Sequence, residues 1–63
     1  MKRKQFVRQM ESAGWSFVGH GGEHDIYEKK GQQFPVPRHS EVSVGIVRSW
    51  TQLNKQIDKE EDE

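Results

Sequence analysis

Between Lys2 and Ala13 the apolar residues Phe6, Val7, Met10 and Ala13 recur at the i, i+1, i+4, i+7 spacing of one helical face. This pattern predicts a first helix, and Gly14 directly after it supplies the left-handed residue that commonly ends one. The period then changes. Trp15–Val18, Asp25–Glu28 and Gln33–Val36 alternate apolar with polar side chains, which predicts three strands. Between the first two lies Gly19-His20-Gly21-Gly22-Glu23, too rich in Gly for regular structure and therefore expected to be an irregular loop. Lys29-Lys30-Gly31 reads as a hairpin turn, and Pro35 and Pro37 place the third strand at an edge, because Pro removes ladder donors. Val42, Val44 and Ile46 also alternate, yet Ile46, Val47, Trp50, Leu53 and Ile57 keep helical spacing over a longer window. A second helix is thus expected from about Val44 to about Gln56, with Ser43 as N-cap and Val42 stapled against Val47. The order α-β-β-β-α gives an α+β fold built on a three-stranded antiparallel meander.

At 63 residues the chain holds one small domain, and only 30% of its residues are hydrophobic, so the core is thin. There is no Cys, which excludes disulfide staples, thiol nucleophiles, Cys-based zinc sites and iron–sulfur clusters. The start Met1-Lys2-Arg3-Lys4 is charged like the head of an export signal, but the next apolar run is only Phe6-Val7. No export signal is expected. The longest run of apolar residues and Gly is the four from Val44 to Val47, far from the ~20 of a membrane span. These features point to the cytoplasm. A zero net charge hides a division: residues 1–57 carry nine Lys and Arg against five acids, whereas residues 58–63 carry five acids and one Lys. A basic body suits a polyanionic partner, and the acidic tail at 58–63 is expected to be disordered.

Without Cys, chemistry falls to His, carboxylates and hydroxyls. His24 stands among Gly21-Gly22-Glu23-His24-Asp25. An unperturbed imidazole titrates near pH 6.5 and can therefore move a proton at neutral pH, and neighbouring glycines let a substrate backbone come close. From the spacing alone, a surface or half-buried histidine with no role is the commoner case. His20 and His24 are four apart, but the glycines between them argue against a helical two-His metal face, and with Asp25 and His39 they match no zinc spacing. No metal site and no cofactor are expected. The glycines at 19–22 are not a phosphate loop, since no Gly-Lys-Ser/Thr follows. Lys29, Lys30, Arg38, Arg48 and the cluster Lys2, Arg3 and Lys4 are candidates for holding phosphates. The aromatics are needed mostly for the core, with Tyr27 kept open as a base-stacking ring.

Several pieces then coincide: a short helix ending in Ala13-Gly14-Trp15, the block Gly21-Gly22-Glu23-His24-Asp25-Ile26-Tyr27, and Phe34-Pro35-Val36-Pro37-Arg38-His39. Ser43-Val44-Gly45 with Arg48 follows. From about Phe6 to about Leu53 the chain resembles the HicA family, the RNA-cleaving toxins of HicAB toxin–antitoxin pairs. The resemblance implies a double-stranded-RNA-binding-domain-like fold over residues 1–57, with two helices on one face of the sheet. It implies cleavage of mRNA by an endoribonuclease with His24 as its catalytic residue, arresting translation and growth. Lys2, Arg3, Lys4, Lys29, Lys30, Arg38 and His39 are then the expected RNA contacts. It implies a HicB-type antitoxin covering the active face, and a larger complex on operator DNA formed through that antitoxin. Glu23 departs from the small or amide residue expected before the His. Two other readings remain at this stage: a non-enzymatic RNA-binding module of the same fold, and a protein-interaction domain whose basic surface meets an acidic partner.

Overall fold

The computed structural model describes residues 1–61 and has the order α1 (Arg3–Ser12), β1 (Ser16–Gly21), β2 (His24–Lys29), β3 (Gln32–Pro37), α2 (Val44–Glu61). The three strands form an antiparallel sheet in the order β1-β2-β3. Phe6, Met10, Trp15, Tyr27, Val36, Val42, Trp50 and Ile57 form one core between the helices and one face of that sheet. Its centre is aromatic: the Phe6 ring lies edge-on to Trp50 at 5.5 Å and to Phe34 at 6.3 Å, and Trp15 meets Trp50 at 6.3 Å. No helix among the described residues is long and apolar enough to cross a membrane.

α1 stops as its sequence predicts. Gly14 takes φ +95°, its amide donates to the Glu11 carbonyl, and the Trp15 amide reaches back to the Met10 carbonyl at 2.9 Å. That pair of bonds, with Trp15 and Met10 both buried, is the Schellman ending of a helix. At the other end the chain before α1 is held by pairing: the Val42 amide donates to the Met1 carbonyl at 2.7 Å, and the Arg3 amide donates to the Ser40 carbonyl at 2.9 Å.

Three expectations need correction. The glycines at 19–21 are in strand: β1 runs to Gly21 and β2 begins at His24, so only Gly22-Glu23 turn the chain. Gly22 at φ +63° supplies the first turn position, and this two-residue turn lets the flanking glycines pair with Ile26 and His24. Tyr27, kept open as a stacking ring, is buried at 7% exposure, while Phe17 is the exposed ring at 49%. Lastly, α2 continues to Glu61, into the segment expected to be a disordered tail; residues 62–63 lie outside the described residues. The extension has a tertiary cause. Ile57 packs into the core, and the Lys29 ammonium joins the Ala13 carbonyl (2.6 Å) to the Asp58 carboxylate (2.9 Å), fastening α2 to β2 and to the end of α1.

The ladder also has one irregularity. The register slips between Phe17 and Gly19, so Val18 is an extra residue in β1. The bulge puts Phe17 and His20, three apart, on the same face of the sheet, with ring centroids 5.2 Å apart.

Candidate functional site

One end of the sheet gathers most of the candidate side chains. There the Gly22-Glu23 turn, the exit of β3 at Pro37, residues 38–42 and the start of α1 converge. Two cavities open at this end, one of about 300 Å³ lined by Glu23, Arg38 and His39, and one of about 340 Å³ lined by Lys2, Arg3, Lys4 and Ser40. The Pro37–Arg38–His39 run explains the first: proline ends the ladder, and the next two side chains leave the sheet at its rim.

His24 opens β2 and pairs across the ladder with Gly21 on one side and Pro37 on the other. Paired residues share a face. His24 therefore lies on the sheet face away from the helices, in the same column as Ile26, while Asp25 and Tyr27 point to the helix side. The absence of a side chain at Gly21 matters here: a Cβ would stand 3.1 Å from the Ile26 Cδ1, which leans across this strip. His24 is exposed, and among the described residues its side chain has no hydrogen-bond partner. Both of its ring nitrogens are thus open to a substrate.

Asp25, the next residue, is the most connected polar group at this end. Its Oδ2 accepts from Arg3 Nη2 at 2.6 Å, and its Oδ1 accepts from Arg38 Nε at 2.9 Å and lies 2.8 Å from His20 Nδ1. Arg3 also donates from Nε to the Pro37 carbonyl at 2.9 Å, tying α1 to the end of β3. His20 Nδ1 is at the same time 2.7 Å from Arg38 Nη2. A single ring nitrogen either donates to Asp25 or accepts from Arg38, so the tautomer of His20 chooses between them.

The hydrogen bond from His20, with Arg38 and Arg3 behind it, holds the Asp25 carboxyl below its ordinary value of 3.8 although burial pushes the other way. A carboxyl depressed in the folded state stabilises the fold at any pH above its unfolded value. That contribution disappears as pH falls through the lower folded value. The urea midpoint is therefore expected to drop steeply below about pH 4 in the wild type and less so in Asp25→Asn, as circular dichroism read between pH 7 and pH 2.5 would show; equal slopes would mean that Asp25 is not the group titrating. Elsewhere, burial raises the Tyr27 phenol, which stays neutral in the core.

The basic residues divide between the two ends. Lys2, Arg3, Lys4, Arg38 and His39 share the end that holds His24. Lys29 and Lys30 sit at the far end of β2, five residues or about 16 Å along the strand. Lys29 is only 13% exposed and is engaged by Ala13 and Asp58, while Lys30 and Gly31 form the β2–β3 turn with φ of 50° and 82°. Among the described residues no three His, Asp or Glu side chains cluster as a metal site would.

The Asp25–His20 contact escaped the sequence reading. Its signal was present: a two-residue turn at Gly22-Glu23 pairs residue 21 with 24 and residue 20 with 25. Treating the glycines as a loop hid that register.

The comparisons add a family to this geometry. Residues 3–57, from the first residue of α1 to Ile57 in α2, match the model of the family described as the HicA toxin of bacterial toxin–antitoxin. No curated protein and no solved structure matches the chain. The matched stretch covers α1, the whole sheet, α2 as far as Ile57 and the end that carries His24, so the chain belongs to the HicA toxin family of bacterial toxin–antitoxin systems.

Proposed function

We propose that this toxin is an endoribonuclease that cleaves mRNA in the cytoplasm with His24 as its proton-transferring residue and without a metal ion. The observation that carries the reading is the setting of His24: an exposed imidazole with both nitrogens unengaged, beside side-chain-free Gly21 and Gly22 and paired across the ladder with Pro37, the residue before Arg38 and His39. A phosphate held at that rim by Arg38 and His39 would bring an RNA strand over the glycines to His24. Lys2 and Lys4 extend the basic track on the same end, whereas Lys30, at the far end of β2, acts on flanking nucleotides, and Lys29, committed to Ala13 and Asp58, contributes mainly field. Arg3, with Nε and Nη2 both committed inside the protein, contributes mainly field.

In the reaction the 2′-oxygen of the RNA attacks the adjacent phosphorus, and the bond from phosphorus to the 5′-oxygen breaks. His24 takes the 2′-hydroxyl proton, and the imidazolium so formed returns a proton to the departing 5′-oxygen. The products are a 2′,3′-cyclic phosphate and a 5′-hydroxyl. Positioning by Arg38 and His39 supplies the rest of the acceleration. The antitoxin partner is a HicB-type protein that covers this face and, bound to operator DNA, carries the toxin into a larger complex.

The test is substrate chemistry. Labelled RNA should be cut in EDTA, and the same sequence with 2′-deoxyribose throughout should stay intact, because it lacks the nucleophile. Equal cutting of both strands would overturn the mechanism.

A further inference from the structure

Asp25 has no place in the reaction just described, yet it is the group on which that end of the protein is organised. Its carboxylate is 16% exposed and meets three cationic or protonatable side chains from three different segments: His20 of β1, Arg3 of α1, and Arg38 just after β3. Arg38 is otherwise a long side chain on a segment that has left the ladder, with 46% of its surface exposed. The contacts use one edge of its guanidinium: Nε faces Asp25 Oδ1, and Nη2 faces His20 Nδ1. A guanidinium carries five N–H groups in a rigid plane, and engaging the Nε–Nη2 edge leaves the Nη1–Nη2 edge turned outward as a fork. Such a fork matches two oxygens of a phosphate.

The carboxylate itself cannot swing away, since Arg3 pins its other oxygen at 2.6 Å and the Pro37 carbonyl, one residue before Arg38, at 2.9 Å. Asp25 follows His24 in β2 and points to the opposite face, so the guanidinium and the imidazole stand at one end of the sheet, on either side of its rim.

We propose that Asp25 is a positioning residue for phosphate binding: it holds the inner edge of Arg38 so that the outer edge faces an RNA phosphate at the rim of the sheet, at the same end as His24. This rests on the nuclease reading for the identity of the polyanion, but it makes a claim that electrostatics alone would reverse. A carboxylate acting only through its charge repels RNA, so its neutralisation would tighten binding. A carboxylate that positions Arg38 does the opposite.

The experiment is a double-mutant cycle on affinity for an all-2′-O-methyl oligonucleotide, which has no free 2′-hydroxyl to attack, with circular dichroism confirming the fold of each variant. Arg38→Ala should weaken binding roughly tenfold, as expected for one charge-assisted contact. Asp25→Asn should weaken it by a similar factor, and the double variant should bind no worse than Arg38→Ala, because Asp25 acts through Arg38. Unchanged or tighter binding by Asp25→Asn, or losses that multiply in the double variant, would overturn the proposal. Should Asp25→Asn fail to fold, the unaltered protein still decides: its Arg38 Nε–H must give a nitrogen–proton NMR signal shielded from solvent exchange, and must keep it when the oligonucleotide is added. Rapid exchange, or loss of the signal on binding, contradicts the assignment. The two readings separate cleanly, since absent cleavage with an intact cycle removes only the nuclease chemistry, and cleavage with a multiplicative cycle removes only the role of Asp25. A wild type that does not bind the oligonucleotide removes both.

Discussion

His24→Ala is expected to lower RNA cleavage by a factor of about 10² to 10⁴, the usual contribution of a single positioned acid–base group, while leaving affinity for an uncleavable oligonucleotide near that of the wild type. The separation follows from where the side chain stands. The His24 side chain is exposed, packs into no core and holds no internal hydrogen bond among the described residues, so its removal leaves neither a cavity nor an orphaned partner. The groups proposed to bind phosphate, Arg38 and His39 at the rim and Lys2 and Lys4 at the start of α1, are untouched by the change. Stability should therefore stay within about 0.5 kcal/mol, as for surface substitutions generally. Initial rates on labelled RNA, paired with fluorescence anisotropy on the 2′-O-methyl analogue, read both halves. A variant that binds and still cuts at the wild-type rate would remove His24 from the chemistry and leave an RNA-binding fold with its catalyst elsewhere.

The second large effect is on the fold. Phe6→Ala should cost about 3–5 kcal/mol, the range for deleting a buried aromatic. Phe6 is 0% exposed and is the ring that joins the two sides of the core, edge-on to Trp50 from α2 and to Phe34 from β3. A domain below about 70 residues rarely draws more than about 3–5 kcal/mol from its core, and no disulfide is present to compensate. The variant is thus expected to be largely unfolded on its own at 25 °C, seen as lost near-ultraviolet dichroism from Trp15 and Trp50 and a missing cooperative urea transition. A binding partner that recognises only the folded toxin would draw the equilibrium back by mass action. A cooperative transition close to that of the wild type would show that the core has other sources of stability.

Local patterns made much of this molecule legible in its sequence. The period of α1 and its stop at Gly14 depend on neighbours within five residues, and the start of α2 at Val44 follows from the long apolar stripe that outweighs a short alternation. What escaped was decided at a distance. The end of α2 lies beyond Gln56 because Ile57, the last residue of the apolar stripe, reaches the core and Lys29, far away in sequence, meets Asp58; an acidic composition gives no hint of that second contact. Gly19 and Gly21 look like loop residues by propensity, yet their partners Ile26 and His24 hold them in the ladder. Tyr27 had no local mark of burial, and its place in the core comes from pairing with Phe34 and packing under the helices.

The candidate site divides in the same way. His24 and the Arg38–His39 rim were readable from motif blocks, and the structure brings them to one end of the sheet. Lys29 and Lys30 stand next to the others in charge but not in space, because a six-residue strand separates the two turns. Arg3 reads as one more basic residue in a cluster, whereas its guanidinium closes a contact between α1, β2 and β3.

The most direct measurement of the central claim is the chemistry of the fragment ends. RNA incubated with the wild-type protein in EDTA should yield, by mass spectrometry, fragments ending in a 2′,3′-cyclic phosphate or its hydrolysed monophosphate, each partnered by a fragment that begins with a 5′-hydroxyl. Fragments bearing 5′-phosphates and 3′-hydroxyls, or cleavage that appears only when a divalent ion is supplied, would contradict transfer to the 2′-oxygen with His24 moving the proton.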